Sequence, residues 1–311
     1  MNRMNNSLKE DRQAPVTRPE QTKGILDERV LPDGGFTELW DAIFVDQDMK
    51  DRLLGQAILN FTLRPKIRPS VLPVHGIILL AGPPGTGKTS LARALASRTA
   101  EAVKGLGKFH YIEVDPHALA SSALGKSQQA VTHLLGSVIA ERAAYGPLIV
   151  LLDEVETLAS DRTKMSLEAN PIDVHRATDA FLAQIDRLAL SCPLILFVAT
   201  SNFVRAIDDA FLSRVDAIEN VDLPSAEACK KILSHTVEGL AEAFPTLKSV
   251  LQDPVFPKAA ERCVGLDGRR IRKVVYTACG RNKEIAIDPS RLTASDILAA
   301  VERIRQVLEM L

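Results

Sequence analysis

The chain has 311 residues, 46% hydrophobic and 25% charged, and its 38 Lys+Arg against 39 Asp+Glu leave a net charge of −1. That composition suits a folded globular chain with room for one large domain and a smaller one, and the charge balance excludes a global basic field for nucleic acid or anionic lipid. The longest apolar runs, such as Leu148 to Leu152 and Leu194 to Ala199, fall far short of the roughly 20 residues that a membrane-spanning helix needs. With a polar N-terminus that lacks an apolar signal core, they predict a soluble, cytoplasmic protein with no membrane contact. Cys192, Cys229, Cys263 and Cys279 form no C-x-x-C pair and stand beside no spaced histidines, so reduced thiols are expected rather than a zinc site or disulfides.

Residues 1–30 are polar, mixed in charge and without apolar periodicity, and read as a flexible N-terminal arm. From Leu31 the chain gains pattern: Trp40, Ile43, Phe44, Leu53, Leu54 and Ile58 fit a helical prelude. Strands and helices then alternate. Strands are expected at His75 to Ala81, Tyr111 to Val114, Pro147 to Leu152 and Pro193 to Thr200, and helices at Ser90 to Ala102, Ser127 to Ala144 and His175 to Leu190. Strands separated by helices imply a parallel sheet sandwiched by helices. After Pro224 strong strand runs stop, and segments around 226–242, 256–263, 268–282 and 294–309 look helical. The expected organisation is thus a large α/β domain over 31–223 and a small helical domain over 224–311.

Gly82-Pro83-Pro84-Gly85-Thr86-Gly87-Lys88-Thr89, followed by Ser90, fits the phosphate-loop pattern G-x-x-x-x-G-K-[ST]. Glycines let the backbone wrap closely round phosphate oxygens and turn its N–H groups inward, and the helix that follows presents its positive end. Lys88 is expected to reach the outer phosphates of ATP and Thr89 to ligate Mg²⁺. The apolar run Leu148 to Leu152 ends in Asp153-Glu154. That strand is expected beside the phosphate-loop strand in a parallel sheet, so that its carboxylates face the nucleotide, Asp153 holding Mg²⁺ and Glu154 orienting the attacking water.

A third apolar strand ends in Thr200-Ser201-Asn202, where the Asn202 amide can hydrogen-bond the attacking water or the terminal phosphate; a turn or helix cap is the other reading of these residues. Arg214 has the character of an arginine supplied to a neighbour's phosphate, or else of a surface partner of Asp216. Gly268-Arg269-Arg270-Ile271-Arg272-Lys273 opens a helix that either sets Arg269 over the nucleotide or forms a short basic patch.

This order of features resembles the AAA+ ATPases, and in detail their Pch/TRIP subgroup, which remodels HORMA-domain proteins. The finer resemblance lies in Leu39-Trp40-Asp41, in Ile112-Glu113-Val114 with His117 and Leu119, and in Leu152-Asp153-Glu154-Val155-Glu156-Thr157-Leu158. It continues in Pro171-Ile172-Asp173 leading to Ala183-Gln184-Ile185-Asp186, and in Gly265-Leu266-Asp267-Gly268-Arg269. It runs from about Leu31 to the C-terminus. It implies a homohexamer in which Arg214 serves the adjacent subunit's ATP, and a pore that pulls a substrate peptide so as to open or disassemble a HORMA-domain complex. With only about 30 polar residues before the match, the chain is most similar to short bacterial members. Those accompany a HORMA protein and a nucleotidyltransferase (CD-NTase) in cyclic-oligonucleotide antiphage systems (CBASS), where such a motor would restrain signalling. Where relatives place an aromatic pair in the pore loop, this chain has Ala123-Leu124, then Gly125-Lys126, a smaller gripping surface.

Two other functions compete. A nucleotide-dependent switch or loader on nucleic acid would use Arg269, Arg270, Arg272 and Lys273, against the charge balance. A small-molecule P-loop kinase leaves Arg214 and the helical lid unexplained.

Overall fold

The computed structural model describes residues 22–120, 127–160 and 171–310. Residues 1–21 of the expected arm and the expected pore residues Ala123, Leu124, Gly125 and Lys126 lie outside that range.

The chain enters as strand β1 (Ile25–Leu31), so the end of the supposed arm is ordered structure. Its sequence hides this because the strand sits at a sheet edge and buries only its ends, Ile25 and Leu31. Helices α1 (Gly34–Ala42) and α2 (Gln47–Thr62) follow, capped by the Asp33 and Asp46 carboxylates. Then come β2 (Ile77–Ala81), α3 (Lys88–Ala102), β3 (Phe109–Val114) and α4 (Pro116–Ala120). The stretch expected as one helix over Ser127 to Ala144 is α5 (Ser127–His133) and α6 (Ala140–Ala144), joined by a π-helical segment, Leu134–Ile139. Strand β4 (Leu148–Leu152), α7 (Pro171–Ser191), β5 (Ile195–Ser201), α8 (Asp209–Leu212) and β6 (Ala217–Asn220) complete this part. Beyond it lie α9 (Ala226–Ala243), α10 (Phe256–Arg262), α11 (Gly268–Cys279), α12 (Lys283–Ile287) and α13 (Ala294–Glu309).

The sheet order is β1-β3-β4-β5-β2-β6. β1 runs antiparallel to β3, and the other five strands are mutually parallel. This corrects the expected neighbour relation: the Asp153-Glu154 strand does not lie beside the phosphate-loop strand, because β5 is inserted between them. The central strands are buried on both faces. Alternate residues point to opposite faces, so Ile77, Leu79, Val150, Leu152 and Phe197 meet α5, α7 and α8 in one core. Ile78, Leu80, Ile149, Leu151 and Val198 meet α1, α2 and α3 in a second.

A third apolar cluster is built from α9, α10, α11 and α13, with Leu233, Val237, Ile271, Val275, Ile297 and Val301 fully buried. Phe44, just after α1, packs against it. The amphipathic periodicity that made these segments look helical is the face they bury here. Asp267 caps α11 through the Arg270 N–H, and a Thr293/Asp296 capping box starts α13.

Candidate nucleotide site

The strand order decides which side chains meet. β5 lies between β4 and β2, so its C-terminal end touches both the acidic pair and the phosphate loop. Thr200 Oγ1 donates to Asp153 Oδ1 at 2.5 Å and accepts the Glu154 N–H at 3.1 Å. Thr89 Oγ1 donates to the same Asp153 oxygen at 2.8 Å. Asn202 spans the gap, accepting from Lys88 Nζ at 2.8 Å through Oδ1 and donating to Glu154 Oε1 at 3.2 Å through Nδ2.

The loop from Gly82 to Gly87 needs its glycines. Gly82, Gly85 and Gly87 have φ of 147°, 83° and 97°, in the region that side chains disfavour. A Cβ on Gly82 would stand 2.3 Å from the Val221 carbonyl oxygen, and one on Gly85 would stand 2.4 Å from Asp267 Oδ1. The loop is therefore in close contact with the start of α11, where the Arg269 N–H also donates to the Gly85 carbonyl at 3.3 Å. Thr86 Oγ1 donates to the Pro83 carbonyl.

Lys88 spends its three ammonium N–H groups on the Gly82 and Pro83 carbonyls and Asn202, each at 2.8 Å. Burial pushes its pKa down, opposed by the negative charges of Asp153, Glu156 and Glu154. Anionic oxygens in place of the two carbonyls would suit this buried ammonium better.

Glu154 is a non-glycine residue in the left-handed region, with φ 52°. Such a conformation costs about 1–3 kcal/mol and persists only where its surroundings hold it. Here the holders are Thr200, Asn202 and the exposed His117, whose Nε2 lies 3.7 Å from Glu154 Oε2. Glu156 adds a fixing point: its Oε1 accepts the Asn202 backbone N–H at 3.1 Å, while its Oε2 is buried without a partner.

Beside the loop a cleft of about 230 Å³ is lined by Phe44, Val45, Gly87, Ser90, Ile232 and His235, among others. Phe44 and His235 meet edge to face, 5.8 Å between centroids. Arg272 does not project a basic patch; it donates to the Ala42 carbonyl at 2.6 Å. A larger groove of about 750 Å³ has no phosphate-loop residue in its wall, so the smaller one, walled by Gly85, Thr86 and Gly87, is the candidate nucleotide cleft. Thr200, Glu156, Phe44 and His235 are the site residues that motif reading did not assign; their places depend on strand order and on how the C-terminal helices pack.

Arg214 lies elsewhere. It precedes β6, whose neighbour β2 runs parallel to it, and Asp216 N donates to the Ile77 carbonyl at the start of β2. The five residues of β2, roughly 16 Å of strand, separate that end from the phosphate loop. Its ion-pair partner is Asp186, not Asp216. The Asp216 carboxylate instead accepts the backbone N–H groups of His75, Gly76 and Ile77.

Residues 78–223 match the ATPase family associated with various cellular activities (AAA). Over 285 residues the chain is 55% identical to CD-NTase-associated protein 6 of Pseudomonas aeruginosa, covering 92% of this chain and 93% of that protein. The chain belongs to this family of AAA ATPases. It is 33% identical over 287 residues to the pachytene checkpoint protein 2 homolog of Arabidopsis thaliana, a match covering 81% of this chain and 61% of the plant protein. In fold it is similar to C. elegans PCH-2, with a TM-score of 0.72 at 26% identity over 93% of this chain and 77% of that one. A chain of the E. coli MS115-1 HORMA:CdnC:Trip13 complex has the same fold, with a TM-score of 0.69 at 19% identity over 90% of this chain and 95% of that one. The AAA family brings nucleotide binding with it. Among the described residues no helix is long and apolar enough to cross a membrane.

Proposed function

We propose that this AAA ATPase hydrolyses ATP to ADP and phosphate and uses the energy to open or disassemble a HORMA-domain protein complex, the HORMA protein being bound to a CD-NTase, and thereby restrains CBASS signalling. The observation that carries this reading is the identity with CD-NTase-associated protein 6 along nearly the whole of both chains. The presence of HORMA and CdnC beside Trip13 in the E. coli complex of the same fold supports it.

The residues fit MgATP. Gly82, Pro83, Pro84, Gly85, Thr86, Gly87, Lys88 and Thr89 form the cradle, with Ser90 on the cleft wall and Arg269 joined to the loop through its N–H bond to Gly85. Thr89 and Asp153 supply two hard oxygen donors, already joined at 2.8 Å, a set that suits Mg²⁺ carried on substrate phosphates. When bound, Mg²⁺ neutralises charge on the β- and γ-phosphates. Glu154 orients and polarises the attacking water, and Asn202, linked to both Glu154 and Lys88, sets the distance between water and terminal phosphate.

Arg214 cannot reach its own subunit's phosphates from the opposite end of the sheet, which favours its action on an adjacent subunit in a homohexamer. For that assembly we assign the grip on the substrate peptide to Ala123, Leu124, Gly125 and Lys126, on the family resemblance alone.

The test is release of a fluorescent peptide from a closed HORMA protein of the same genome. The reading predicts ATP-dependent release that Glu154→Gln abolishes; release without ATP, or none with it, contradicts it. A loader on nucleic acid has little support: Arg270 is paired with Asp267 and Arg272 with a backbone carbonyl.

A further inference from the structure

Arg214 is held in an unusually complete way for a partly exposed arginine. Its Nε and Nη2 fork onto the two oxygens of Asp186 at 2.6 and 2.8 Å, and its Nη1 donates to the Ala210 carbonyl. Its side chain is only 21% exposed. Asp186 is itself fixed. It lies on α7 between the buried Ile185 and Leu188, and His75 Nε2 stands 3.5 Å from its Oδ1. The turn that carries Arg214 is tied to the same helix, because Phe181 of α7 stacks on Phe211 of α8 at 5.7 Å.

This arrangement has a chemical consequence. A guanidinium has five N–H groups in a rigid fork, and Asp186 and Ala210 take three of them. One N–H on Nη1 and one on Nη2 remain, enough for a phosphate oxygen. The fork also sets the plane of the guanidinium and removes the rotamer freedom that a free arginine would lose on meeting a phosphate.

We propose that Asp186 is the positioning residue of the Arg214 finger, anchoring its guanidinium in the subunit that donates it so that the two free N–H groups meet the neighbour's phosphate preorganised. This rests on the reading of Arg214 as a finger acting in trans.

The experiment compares ATP turnover and ATP affinity of Arg214→Ala and Asp186→Ala, each alone and mixed one to one with Glu154→Gln. Glu154→Gln subunits carry a dead site but an intact finger. Arg214→Ala is expected to lose turnover and to regain part of it in the mixture, which sets what a borrowed finger can restore. Asp186→Ala is expected to lower kcat about 10- to 100-fold with ATP affinity unchanged, the scale of a misplaced reacting group, and to be restored in the same proportion. An Asp186→Ala protein with wild-type kcat, or one slowed but not restored by borrowed fingers, overturns the proposal while leaving Arg214 as the finger. Wild-type turnover in Arg214→Ala, or no recovery in its mixture, instead removes the finger reading itself.

Discussion

Lys88 Nζ and Asn202 Oδ1 are joined at 2.8 Å, and through the other end of the same amide Asn202 holds Glu154. One side chain at the end of β5 thus connects the group proposed to meet the outer phosphates to the group proposed to orient water. Asn202→Ala breaks both links while leaving the phosphate loop intact. It is expected to lower kcat by about 10²-fold, the size seen when one preorganised donor is removed from a reacting centre. ATP affinity, measured by titration with a fluorescent analogue, should change far less.

Thr200 has a separate part. Its hydroxyl binds Asp153 and accepts the Glu154 N–H, the one hydrogen bond among the named holders that fixes the backbone of this left-handed residue rather than its carboxylate. Thr200→Val keeps the shape but leaves that partly buried N–H without its partner, at a cost of about 1 kcal/mol. A lowered Tm and a reduced kcat are expected together, and Thr200→Ser should restore both. A valine variant with unchanged Tm and rate would show that the hydroxyl does neither job.

Gly85 connects the loop to the C-terminal helices. In Gly85→Ala the added methyl meets Asp267 Oδ1 in a backbone conformation that L residues avoid. Either the loop or the start of α11 must shift, at about 1–3 kcal/mol. ATP affinity should fall at least tenfold by isothermal titration, since whichever of the two yields, a wall of the site moves.

Much of this site was legible because its parts are local in sequence. The phosphate loop and the Asp153-Glu154 step each place their chemistry within a few residues of one another, and apolar runs of strand length mark the sheet. The rest depends on relations between distant segments. That β5 separates β4 from β2 follows from no periodicity, so Thr200 and Asn202 could be named as a polar strand end but Thr200 could not be seen to bind Asp153. β1 escaped because an edge strand with alternating exposure reads like a polar arm. The alternative reading of Arg214 as a surface ion pair names Asp216 for the same reason: Asp216 is near in sequence, whereas Asp186 is near only once α7 lies on the sheet.

The cysteines offer a check on the C-terminal core. All four are free, and Cys229 and Cys263 are fully buried. Burial pushes both thiols up, that of Cys263 to about 12, so at pH 8 the reactive thiolate is scarce as well as inaccessible. Maleimide labelling followed by mass spectrometry should find both unmodified in the native protein and modified in denaturant. Rapid native labelling of Cys263 would mean that the α9–α10–α13 core is looser than described.

The most direct test of the central claim is the steady-state ATPase rate of the purified protein, alone and with a HORMA-domain protein from the same genome. The account predicts a basal rate that the HORMA protein raises, with both rates abolished in Glu154→Gln. A rate indifferent to the HORMA protein would contradict the proposed client, and a Glu154→Gln protein with normal turnover would contradict the site itself.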